Sequence, residues 1–96
     1  MDRNAIAEKI KDKMGELENQ MKQLQLKADQ ASEDVRHQWE KRRLEVKEKQ
    51  QELATRLEEV RNTADSRLDE LRSNVEKTID SAATRLKDIK DNLFGK

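Results

Sequence analysis

Large apolar residues recur along the first third of the chain as Ile6, Ile10, Met14, Leu17, Met21 and Leu24, then Ala28, Ala31 and Val35. Spacings of four and three alternate there, which is the seam of a heptad repeat on an α-helix. From Val35 onward three interleaved series share an eleven-residue period. They are Val35, Val46, Leu57, Leu68 and Ile79; Val60, Leu71, Ala82 and Leu93; and Leu53, Ala64, Val75 and Leu86. Eleven residues in three turns hold a narrow stripe on one face with almost no supercoil, or a weak right-handed one. No period-two run of β-branched or aromatic residues bounded by turn signals competes with helix. The pattern predicts an all-α chain: a long amphipathic helix forming a coiled coil or helical hairpin, with heptad and then hendecad periodicity. Unbroken, that helix would be roughly 130–140 Å long at 1.5 Å per residue.

Two polar stretches interrupt the ladder, DQASED at 29–34 and NTADS at 62–66. They divide the chain into near-equal thirds, so a three-helix bundle is the alternative architecture. Ser66 followed by Asp69 resembles a capping box. The phase of Val60, Ala64, Leu68 and Leu71 runs through NTADS, as a continuous helix requires. Either way residues 1–96 form one helical domain. Asp2 or Asn4 suits the start of a helix and Gly95 its end. Opposite charges spaced i, i+4 support the exposed face: Glu18/Lys22, Arg36/Glu40, Lys41/Glu45, Glu45/Lys49, Glu52/Arg56, Arg61/Asp65 and Arg72/Glu76.

Composition narrows the picture. Charged residues make up 44% of the chain and apolar ones 32%, with one Trp and one Phe. So few large apolar groups suit a narrow helical seam better than a broad globular core. There is no Pro, and Gly15 and Gly95 are the two glycines. Basic and acidic residues number 21 each and are mixed along the chain, which disfavours generic polyanion binding. The absence of Cys excludes disulfides, thiolate ligands and Cys nucleophiles. The N-terminal stretch has no apolar h-region and no run reaches transmembrane length, so a cytoplasmic location is expected.

The segment HQWEKRRLEVKEKQQ, 37–51, holds the single Trp and the single His. Arg42 falls in the apolar series of Leu53 and Ala64, and Lys49 and Gln50 also lie where the seam calls for apolar groups. A polar interruption of this kind sets register at a cost in stability. The basic cluster of Arg36, Lys41, Arg42, Arg43, Lys47 and Lys49, set against Glu40, Glu45 and Glu48, is the anion-binding reading of the same residues. Its net charge is low for nucleic acid, which calls for a dominant basic face or stacking aromatics. Trp39 lies beside the seam, in the series of Ile6, Leu17 and Ala28, and is expected to be a packing anchor. His37 with Glu33 is one or two ligands short of the three or four a metal site needs, and there is no second His. A narrow helix offers no water-excluding pocket for a nucleophile and its base, so no enzymatic activity and no cofactor are expected.

In the C-terminal half, Arg56 and Arg67 flank one edge of the stripe and Arg61 and Arg72 the other. Glu48, Glu58, Glu59, Asp69, Glu70 and Asp80 lie away from it. Cations at an apolar boundary with acids opposite suit a helix on a lipid surface. In period and charge placement, VRNTADSRLDELRSNVEKTIDSAATRLKDI and its flanks, over 53–93, resemble proteins built from eleven-residue amphipathic repeats. Those are the exchangeable apolipoproteins and the late-embryogenesis-abundant type of desiccation proteins. The apolipoprotein resemblance implies helices that wrap lipid.

Three functions follow as expectations. The first is a non-enzymatic, self-associating coiled-coil scaffold, a homo-oligomer or a partner for another helix. Its interface would be Ile6, Ile10, Met14, Leu17, Met21, Leu24, Val35, Trp39, Val46, Leu53, Leu57, Val60, Leu68, Leu71, Val75, Ile79, Leu86, Ile89 and Leu93. The second is an amphipathic helix on a membrane or lipid surface. There Arg42, Arg43, Arg56, Arg61, Arg67 and Arg72 would meet anions or headgroups. The tip cluster of Leu86, Ile89, Leu93 and Phe94 with Lys87, Lys90 and Lys96 supports that reading. The third is a small three-helix bundle acting as a binding module. Nucleic acid and small-molecule substrates are not expected partners.

Overall fold

Asp2 starts the first helix. Its carboxylate accepts the backbone N–H of Asn4 at 3.1 Å, satisfying one of the donors a helix leaves open at its beginning. A computed structural model describes residues 2–95, and over them the chain is helical with two short breaks. Helix α1 covers Arg3–Asp29, α2 covers Glu33–Asn62 and α3 covers Leu68–Phe94, with a single turn of 3₁₀ helix at Asp65–Arg67 before α3. The described residues form no strand. The three helices run up, down and up in an elongated bundle of 51 × 18 × 16 Å.

The all-α expectation holds, and of the two architectures the chain takes the three-helix bundle. It is not a continuous rod. Both breaks fall on the polar stretches, although neither contains Pro or Gly. At the first, Ser32 adopts an extended conformation and its Oγ accepts the Val35 N–H at 3.3 Å, capping α2. Glu33 and Asp34 in the first turn add charge that favours a helix N-terminus. At the second, Thr63 and Ala64 are extended, so Val60 to Leu71 do not lie on one helix. The capping box expected of Ser66 and Asp69 does not form. Ser66 sits inside the 3₁₀ turn, and α3 begins after Arg67 without a side-chain cap.

Within each helix the buried positions repeat every seven residues. In α1 they include Ile10, Leu17 and Leu24; in α2, Trp39, Val46, Leu53 and Val60; in α3, Leu68, Val75, Ala82 and Ile89, with Ile79 and Leu86 on the second line of the seam. An eleven-residue step is a heptad plus a four-residue step, so it moves from one seam line to the other. Within α2 two such steps, from Val35 through Val46 to Leu57, cross from one half-buried margin of the seam through its buried line to the other margin. That seam is the side-chain pattern of left-handed bundles, in which helices cross at about 20°. Ala64, counted among those series, is exposed in the turn.

Candidate interaction surface

The nineteen seam residues named above turn inward on one another. Fourteen are buried, and Met14, Met21, Val35, Leu57 and Leu93 are half-buried at the margins. Core positions absent from that set are Ala28, Ala82 and Thr78. Thr78 is a polar residue that the apolar ladder passes over. Its hydroxyl donates to the Asn74 carbonyl at 3.0 Å and lies 3.5 Å from Arg56 Nε, so its burial leaves no open hydrogen bond.

Trp39 is the largest fully buried side chain. Its indole N–H donates to Gln25 Oε1 at 2.8 Å, and the same oxygen takes Arg43 at 3.3 Å. Gln25 in turn donates to Asp29 at 3.0 Å. The Trp39 ring meets Phe94 edge to face, with centroids 6.4 Å apart and planes at 63°. The midpoint segment therefore joins all three helices at one end of the bundle. At the opposite end Arg3 donates to the backbone carbonyl of Val60 and pairs with Asp65 at 2.6 Å. Val60 belongs to the last turn of α2, whose carbonyls have no partners within the helix. The Asn62 side-chain amide donates to the Glu58 carbonyl one turn back, at 3.0 Å.

The arginines proposed for anions are largely engaged within the chain. Arg42 contacts Glu45 at 2.7 Å, and Glu45 also takes Arg85 of α3 at 2.8 Å, so the polar interruption of the seam carries an α2–α3 bridge. Arg56 pairs with Glu59, Arg61 with Glu58 and Arg72 with Glu76, at 3.1, 3.2 and 3.3 Å. Arg43 is held by Gln25, and Arg67 is exposed in the 3₁₀ turn. Of the seven i, i+4 pairs expected from spacing, Glu18/Lys22 and Arg72/Glu76 form; several of the others are replaced by i, i+3 pairs. His37 is exposed, and among the described residues no group of three or more His, Asp or Glu is placed to hold a metal ion. No helix of the described residues is long and apolar enough to cross a membrane.

Two grooves flank α1. One, against α2, is lined by Met14, Met21 and Ala54 with Lys22, Arg43, Lys47 and Glu18. The other, against α3, has a volume of about 320 Å³. Leu17, Leu24 and Leu86 form its floor, Gln20, Gln23 and Ala83 its walls, and Lys13, Lys27, Lys87 and Lys90 its rims, with Glu16 the one carboxylate. Lys13 reaches Glu16 at 2.9 Å. Among the described residues Lys27, Lys87 and Lys90 have no ion-pair partner within 4.0 Å; Lys96 lies outside them. Comparison with protein-family models, with curated proteins and with solved structures finds no match for this chain.

Proposed function

We propose that this chain is a non-enzymatic helical-bundle module that works by binding a partner through its outer surface, its apolar seam being committed to its own core. One observation carries this reading: Ile10, Val46, Leu53, Val60, Val75 and Ile89 each have 0% exposure within a single chain. A seam closed in this way offers little to a second copy or to an acyl chain. Burial of each such side chain contributes about 1.5–3 kcal/mol, an upper estimate against an extended reference chain. That gain is available to the isolated chain without association.

The test is the mass by sedimentation equilibrium together with thermal melting by circular dichroism, over about a hundredfold range of concentration. The monomer mass with a melting temperature independent of concentration is expected. A mass that rises, with a melting temperature that rises alongside it, would replace this reading with the self-associating scaffold. A weakly helical monomer that gains helix only on phosphatidylglycerol vesicles would replace it with the lipid-surface helix.

A further inference from the structure

The seam between α1 and α3 changes character along its length. Near the start of the two helices it is clipped by opposite charges, Lys9 of α1 meeting Glu76 of α3 at 3.4 Å. Farther along, the facing residues carry the same sign: Lys13 and Lys27 on α1, Lys87 and Lys90 on α3, with Glu16 alone against them. Like charges across a seam repel, and Lys27, Lys87 and Lys90 have no ion-pair partner within 4.0 Å among the described residues. Lys11, Arg36, Lys41, Lys47, Arg67 and Lys77 are likewise without an ion pair among the described residues, but in this groove four lysines converge on a single carboxylate although the formal net charge of the chain is zero.

We infer that this groove is a docking site for an acidic amphipathic helix of a partner protein, which would complete a four-helix arrangement. The inference rests on the binding-module reading above. Residues 13–27 on the α1 rim span roughly 21 Å at 1.5 Å per residue, a run that suits about fourteen residues of a helix laid along the seam. Cations stand on both rims, so a helix with Glu or Asp along both edges of its apolar face meets opposite charge on either side. Floor leucines Leu17 and Leu24 are only 2% and 4% exposed, so contact with a partner helix is made at the rims rather than at the floor. The lysine stems and the exposed, small Ala83 supply the apolar contact, and Ala83 leaves room for a partner backbone. No Arg and no aromatic residue lines the groove, so it lacks the bidentate and stacking groups that nucleic acid recognition uses.

The experiment uses the full chain and a fluorescein-labelled synthetic helix of about fourteen residues, matched to the groove's span, with Leu on one face and Glu along both of its edges. Anisotropy is read at low and high salt. Binding that weakens with salt is expected, together with a higher melting temperature for the complex. Lys87→Glu with Lys90→Glu should raise the dissociation constant about tenfold, two attractive contacts becoming repulsive. Arg36→Glu with Lys41→Glu, the same charge change on exposed α2, should leave it unchanged. Circular dichroism of each variant checks that the bundle stays folded. A folded monomer that fails to bind the peptide, or binds it equally with both double variants, overturns the docking site and leaves the module reading intact. An oligomer in the absence of peptide overturns the module reading and this inference with it. Flotation with phosphatidylglycerol vesicles in place of peptide binding assigns the lysines to a lipid headgroup and overturns the helix partner.

Discussion

Gly15 lies mid-helix on the exposed side of α1, and a Cβ built there meets nothing within 4 Å. Glycine in such a position gives the unfolded chain freedom that no native contact requires. Gly15→Ala should therefore stabilise the bundle by about 0.5–1 kcal/mol. For a domain of this size the melting temperature should rise by roughly 2–8 °C; no rise would mean that α1 bends or packs differently at that point. Gly95 is the opposite case, since a Cβ there would come within 2.5 Å of the Asp91 carbonyl oxygen. The chain's two glycines thus play unrelated parts, one replaceable and one fixed by a close backbone approach.

At the scale of the helices, the two breaks differ in how they are made. The first is local: Ser32 caps its own helix three residues on. Ser32→Ala should cost about 1 kcal/mol in denaturant unfolding. Ser66 makes no cap, so Ser66→Ala should change stability by no more than about 0.5 kcal/mol. Equal losses at the two serines would contradict the geometry of both turns. At the second break the Val60 carbonyl is satisfied by Arg3, fifty-seven positions away. That distance explains what could be read in advance. The residues of the seam were legible, because burial follows large apolar groups wherever the helix ends. The end of α2 was not, because no Pro or Gly marks it and the Val60 carbonyl is satisfied from the other end of the sequence. The eleven-residue series also hid it, since a heptad seam with half-buried margins contains eleven-residue steps in each helix on either side of the turn. Likewise Thr78 was invisible to a search for apolar residues, and the lysine groove appears only once α1 and α3 are side by side.

The whole molecule is short and narrow for its length of chain. Its radius of gyration, 15.3 Å over Cα atoms, exceeds the roughly 12–13 Å of a spherical domain of this size. It falls far below the roughly 40 Å of a single straight helix at 1.5 Å per residue. Small-angle scattering on the monomer should give a value near that of the bundle, slightly enlarged by side chains and hydration. A value near that of the straight helix would restore the rod. The helix α2 packs more extensively against each neighbour than α1 does against α3, so the α1–α3 side is the less closely packed one.

The contact between Trp39 and Phe94 gives the molecule a built-in optical gauge. The chain has one indole and no tyrosine, so its ultraviolet emission comes from a single point. That point is pressed against the end of α3, fifty-five positions further along. Fraying of those last turns would let water reach the ring and shift its colour toward the red, while most of the helical backbone signal persisted. Comparing the two signals during heating would distinguish an unlatched bundle from an unfolded one, without any added label.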